Sequence, residues 1–520
     1  MKKTRRLLSL LLTVVLALSL CAIPAAAADD QARSDDPVVF VHGLLGWGQR
    51  DRIYRIMPYW GMTTGSLTDY LSAKGYETYA ASVGPLSSAW DRACELYAQL
   101  AGTRTDYGVK HAQDFGHERY GIDYKQPLFD GWGTKRAVNL VGHSFGGATT
   151  RLFLEILTNG CPEEIAAAKA AGVEPSPFFL GGKGSWVHSL TAIAAPHNGT
   201  SFIECNVDFT KAASELATSA SKALGLSKFK GVYDFQLDQF GIRKDDNETF
   251  AQALERVLKS DFLSHNDNAF LDLTIDKSLE INKGIAIQPN VYYFSYAGDQ
   301  TSTDPRTGNH YPTVSAIPSN GMCALMLSFS YNMGKYYDKY TAGGIYIDKS
   351  WLPNDGLVNT VSALYPTTTD KNTIECRRQD GSQGWVNYDG YSDIAFRPGI
   401  WYVMPVTRAD HMQFVGGIAN KSIVQTHVFY LNLMDDIYST YRAVQPGETP
   451  FPFTDVPESR WSYPYIKELY DAGVYVNSSL PPAAAPHECL LRTSLMATHT
   501  HALIDEAVGI MKDVLRRHDL

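Results

Sequence analysis

The chain has 520 residues, 44% hydrophobic and 19% charged, with a formal net charge of −9. This is the balance of a globular protein, and its acidity gives no electrostatic reason to expect nucleic-acid binding. The length suits roughly two to four average domains, or one large α/β unit with insertions. Seven cysteines, one of them Cys21 in the leader, are scattered without paired spacing and specify no disulfide connectivity.

Residues 1–28 carry Lys2, Lys3, Arg5 and Arg6, then an apolar run and an alanine-rich end, the pattern of a cleaved secretory signal. Removing those four cations takes the mature chain to about −13. No later stretch is long and apolar enough to span a bilayer. Pro37-Val-Val-Phe-Val-His42-Gly43-Leu44 predicts a buried strand entering a loop whose glycine lets a main-chain N–H face a pocket. A helix around residues 67–71, a strand over 77–83 and an amphipathic helix from Trp90 to Leu100 follow. His111 and His117 lie six apart, a spacing that does not put both on one helix face and does not by itself specify a metal.

The most informative stretch is residues 137–157. An apolar run meets Gly142-His143-Ser144-Phe145-Gly146, and a helical pattern follows. A G-x-S-x-G turn between strand and helix strains the serine and exposes its hydroxyl, making Ser144 the candidate nucleophile. The oxyanion donors of such a site would be the N–H groups of Leu44 and Phe145. A strand around 187–195 ends near His197, which precedes any plausible acid. The chain order nucleophile, acid, histidine therefore leaves His197 a loop hydrogen bond rather than the base. Residues 202–226 form a small-residue helix, residues 245–283 are helical and loop-like without a motif, and residues 289–297 read as a strand. Asp355, in an Asn-Asp-Gly turn, is the candidate acid. His411, after a strand over 401–406, is the candidate general base, with Asp389 and Asp393 less well supported as acids.

The segments VFVHG, VGPLSSAWDRACELYAQLAGTRTDYG, HAQDFGHERYG and GHSFGG occur in this order. They are followed by IAAPHNGT, VYDFQLDQFG, WLPNDGLVN and Asp410-His411. Together they resemble the secreted bacterial triacylglycerol lipases of family I.5, over about residues 37–433. The resemblance implies an α/β-hydrolase fold, a mostly parallel sheet flanked by helices, with a zinc-binding insertion and a helical lid. It assigns a structural zinc to Asp91, His111, His117 and Asp238, a donor set that suits a closed tetrahedral site. It also implies a catalytic triad of Ser144, Asp355 and His411, acting on acylglycerols at an oil–water interface. The family's calcium ligands near the histidine fall here on Gln413 and Ile418, which lack charge, so calcium dependence is not carried over.

The expected organisation is a signal peptide over 1–28 and a hydrolase domain over 37–435, with insertion and lid regions near 85–120 and 202–245. A linker at 445–450, a partial module over 451–476 and a tail over 477–520 complete it. The module resembles the first half of an S-layer homology repeat, through Phe453-Thr-Asp-Val-Pro457, Trp461 and Tyr465, and that resemblance implies a cell-wall polymer partner. Residues 367–384 read as a surface excursion. Oligomeric state is not specified. The reading is a secreted ester hydrolase. A short-chain carboxylesterase or phospholipase on the same frame, and a non-catalytic surface-binding protein, stay open as alternatives.

Overall fold

The computed structural model describes residues 36–205, 229–367, 376–378, 381–388, 396–417 and 423–441, with isolated positions between 214 and 225 and two short strands near the C-terminus. The leader, most of the 202–226 segment and the S-layer-like stretch lie outside the described residues. The chain divides into two compact units, residues 1–388 with 396–442, and residues 389–395 with 443–520. In the second, Asn477–Ser479 pairs antiparallel with Leu490–Arg492.

The first unit is built on seven parallel strands: β1 (Val38–Val41), β2 (Thr78–Ala81), β3 (Val138–His143), β4 (Val187–Ile193), β5 (Tyr292–Tyr296), β6 (Trp385–Asn387) and β7 (Trp401–Val403). Their order across the sheet is β6-β7-β5-β4-β3-β1-β2. From β1 the chain moves one step outward to β2, then returns to β3 on the other side of β1. That reversal places the carboxyl ends of β1 and β3 side by side, with Val41 paired to Gly142. A crevice at such a reversal is where open α/β sheets bind ligands.

Both faces of the sheet are covered, as a parallel sheet requires. Along β1, Val38 and Phe40 enter one hydrophobic cluster while Val39 and Val41 enter the other, the period of two that alternating side chains dictate. The helices that matter for the site are α1 (Ala89–Ala101), α2 (Val109–Phe115), α3 (Phe145–Asn159) and α4 (Ile423–Ser439). Ser88 caps α1 by accepting the Asp91 N–H at 3.2 Å. Gly102, left-handed at φ 67°, ends the helix. Of the expected 367–384 excursion, residues 367, 376–378 and 381–384 are described. Cys376 is buried, Arg377 bridges Gln383, and the segment delivers the chain into edge strand β6.

Phe40 ties β1 to both Trp60 and Tyr430 of α4, at ring-centroid distances of 4.7 and 6.0 Å. Phe40→Ala should cost about 3–5 kcal/mol of unfolding free energy, read by denaturant titration of the purified chain.

Candidate active site and metal-ligand cluster

Ser144 closes β3 and opens α3 with φ 56° and ψ −131°, a left-handed conformation that costs a non-glycine residue about 1–3 kcal/mol. The turn is possible because its neighbours have no side chains. A Cβ on Gly146 would lie 2.1 Å from the Val41 carbonyl, one on Gly142 2.6 Å from Gly146 backbone, and one on Gly43 2.5 Å from the Ser144 Cβ. The Ser144 N–H is held by the Ile193 carbonyl at 2.9 Å.

Asp355 and His411 meet although 56 residues apart. His411 Nδ1 donates to Asp355 Oδ2 at 2.8 Å, and the His411 N–H donates to the Asp355 carbonyl at 2.9 Å. The other carboxylate oxygen accepts the N–H groups of Leu357 and Val358 at 3.0 and 2.8 Å, so the Asn-Asp-Gly turn fixes the acid. Asp410 braces the histidine loop by accepting the N–H groups of Cys323, Met412 and Gln413. His143 joins this pair to the serine turn. Its ring lies 4.7 Å from that of His411, its Nε2–H donates to the His411 carbonyl at 3.0 Å, and its Nδ1 accepts from Tyr59 Oη at 2.7 Å. Burial first, and the nearby His411 second, push its pKa far below the usual imidazole range, so it stays neutral.

The His42–Leu44 loop sits against this turn. His42 is no base: burial and the Arg92 charge lower it to about 3. It donates from Nδ1 to the Gly43 carbonyl and accepts the Val83 N–H at Nε2, pinning the loop. The Gly43 N–H donates to Tyr59 Oη, that of Leu45 to the Pro85 carbonyl and that of Gly46 to the Gly43 carbonyl. The Leu44 N–H between them donates to no acceptor among the described residues. The Phe145 N–H, first of α3, has no intrahelical acceptor either. Among the described residues the Leu44 and Phe145 amides are thus left without acceptors, Phe145 directly following Ser144. Leu45, at φ 57°, carries the strain of the loop.

A second cluster lies on the α1–α2 insertion. Asp91, His111, His117 and Asp267 each offer one ligand atom, all within 4.8 Å of one another. His111 Nε2 is 3.2 Å from Asp91 Oδ1 and 3.1 Å from Asp267 Oδ2; His117 Nε2 is 3.3 Å from Asp267 Oδ2 and 3.9 Å from Asp91 Oδ1. Tetrahedral bonds of 2.0–2.1 Å have edges of about 3.3 Å, which these separations approach. Asp91 Oδ1 and His117 Nε2 are buried and have no hydrogen-bond partner, as atoms aimed at an ion would be. His117 Nδ1–H donates to the Glu118 carbonyl at 2.9 Å, leaving Nε2 bare. Glu164 caps α2 in place of the missing side chain of Gly108, accepting the N–H groups of Lys110 and His111 at 3.0 and 2.7 Å. Trp90 stacks on His111 with centroids 5.0 Å apart.

The fourth member corrects the ligand set implied by resemblance. Asp238 is exposed and heads a short 3-10 turn, Asp238–Phe240. Successive residues of such a turn are rotated by about 120°, and it is Gln239 that turns inward, donating from Nε2 to Asp91 Oδ2 at 2.9 Å. Asp267 reaches the cluster from the helical region 245–283, where no motif announced it. Its only local signal is a carboxylate just before Asn268, which caps the helix Ala269–Asp272. His197 also departs from expectation: its main chain bonds the Ser362 carbonyl, but both ring nitrogens are buried without partners against Trp401.

A strained serine at a strand–helix turn, on a seven-stranded parallel sheet with a carboxylate–histidine pair beside it, defines an α/β-hydrolase. Residues 34–446 match the family described as lipase-like, C-terminal domain, and the chain belongs to it. Lipase 2 of Staphylococcus aureus is 36% identical over 395 residues, 76% of this chain and 52% of that protein. Lipase 1 of the same species is 31% identical over 422 residues, 80% of this chain and 56% of that one. The chain thus spans about half the length of these curated relatives. Among solved structures, EstA from Clostridium botulinum superposes with a TM-score of 0.67 at 33% identity, over 79% of this chain and 89% of that one. Staphylococcus hyicus lipase gives 0.63 at 31% identity, over 79% and 97%.

Asp267→Asn should reduce bound divalent metal from about one ion per chain to a small fraction, whereas Asp238→Asn should leave it unchanged, measured by elemental analysis of the purified variants.

Proposed function

We propose that the protein is a secreted triacylglycerol lipase working through a serine acyl-enzyme. The observation that carries the reading is the buried Asp355–His411 pair at 2.8 Å, joined through His143 to the strained Ser144 turn. In this reading His411 takes the Ser144 proton as Oγ attacks the ester carbonyl. Asp355 holds the Nδ1–H tautomer and offsets the charge on the imidazolium. The amides of Leu44 and Phe145 receive the oxyanion, and the leaving alcohol departs with the proton from His411. Water activated by the same histidine then attacks the acyl-enzyme, releasing the fatty acid and regenerating Ser144. Secretion follows from the leader at residues 1–28. Within residues 36–441 no described helix is long and apolar enough to cross a membrane.

Ser144 is 9% exposed and His411 3%, so a bulky ester requires an opening step before it reaches them. The 202–226 segment is the proposed lid, its apolar face exchanging the pocket for an oil phase.

Zinc is the metal proposed for Asp91, His111, His117 and Asp267. Two carboxylates and two imidazoles fill four positions, and the ion would act as a closed structural clip whose binding energy adds to folding. Calcium is left out of the proposal. At Gln413 the side chain donates from Nε2 to the Gly321 carbonyl and accepts the Asp410 N–H, a neutral arrangement where a hard cation would need charge.

Hydrolysis of emulsified long-chain triacylglycerol and of short-chain esters tests the reading. Ser144→Ala should lose at least about 10³-fold in kcat on both with little change in stability. Short-chain turnover alone would turn the reading toward an esterase. Long-chain turnover that survives the substitution would overturn the serine mechanism.

A further inference from the structure

Arg92 has no part in the triad chemistry, yet it is fully buried and its bonds converge on the two strands of chain that carry the free amides. Nη2 donates to the His42 carbonyl, two residues before Leu44. Nη1 donates to the Gly84 carbonyl at 2.9 Å and Nε to Thr149 Oγ1 at 2.8 Å. Thr149 in turn donates to the Phe145 carbonyl at 3.1 Å, and the guanidinium lies 5.1 Å from the centre of the Phe145 ring. All three of these hydrogen-bond acceptors are neutral oxygens. A cation taken out of water without a hydrogen-bonded carboxylate is expensive: burial lowers its pKa to about 10, and the buried Glu95 carboxylate acts on it through space in the opposite sense.

We propose that Arg92 is a positioning residue for the oxyanion hole, locking the His42–Leu44 loop to the start of α3 so that the Leu44 and Phe145 amides stay aimed at one point. Its buried charge stands behind that point and favours the tetrahedral anion over the neutral ester. The inference rests on the serine-hydrolase reading above. Lysine keeps the charge but not the planar fork, and so cannot hold three acceptors in this geometry.

The test compares the full-length protein with Arg92→Lys, Thr149→Val and Ser144→Ala. Each is assayed with p-nitrophenyl butyrate and for inhibition by butaneboronic acid, which forms a tetrahedral anion on an active serine. Arg92→Lys should lower kcat roughly 10- to 100-fold, leave KM within about twofold, and weaken boronate inhibition in parallel with kcat. Thr149→Val should move the same quantities in the same direction by less. A folded Arg92→Lys protein with unchanged kcat and boronate inhibition overturns the proposal, as does a loss confined to thermal stability. If Arg92→Lys does not fold, Thr149→Val decides by the same two readouts. Activity retained in Ser144→Ala would instead overturn the parent reading and take this role with it.

Discussion

The reversal of strand order between β1 and β3 is the constraint from which the site follows. Two adjacent parallel strands end at the same edge, one in a loop with a spare amide and the other in a serine forced into a left-handed turn. The approach is so close that no Cβ fits at Gly43, Gly142 or Gly146 without moving backbone or the serine itself. The strain at Ser144 is sustained because both faces of the sheet are packed. β3 is buried along its whole length between two hydrophobic clusters, and α3 is locked over it.

The same edge then collects groups from distant parts of the chain through main-chain bonds rather than side-chain pairs alone. His411 is held by its own N–H and C=O, to Asp355 and His143, as well as by its ring. His143 does this while neutral, held so by burial and by the neighbouring His411. His143, kept neutral by burial, is thus a fixed hydrogen-bonding strut between Tyr59 and the His411 main chain.

Helix α1 links the two clusters. Consecutive residues, Asp91 and Arg92, point to different places: one carboxylate into the Asp–His–His–Asp cluster, one guanidinium onto the His42–Leu44 loop. Successive residues on an α-helix differ by about 100°, so a single rigid element can serve both. The insertion is therefore not an appendage. Holding its helices in place also holds the loop that Arg92 grips.

Much of this was legible in the residues. Short apolar runs marked β1, β3, β4 and β5, and the G-x-S-x-G turn singled out Ser144 because its glycines report a backbone need that is local. The order nucleophile, acid, histidine, together with the family motif around Asp355, singled out Asp355 and His411, which the structure pairs. Asp267 and Arg92 were not legible, and Asp238 was misassigned. A metal-ligand group and a buried fork depend on which side chains converge from segments far apart in sequence. One residue of rotation in a 3-10 turn is enough to exchange Asp238 for Gln239. The sequence by itself determined the strand pattern, the strained turn and the chemical types available to the site. Only the tertiary structure decided which carboxylate joins Asp91, His111 and His117 and which cation bridges the His42 loop and α3, because those choices are made by packing across the sheet and insertion and leave no local pattern in the chain.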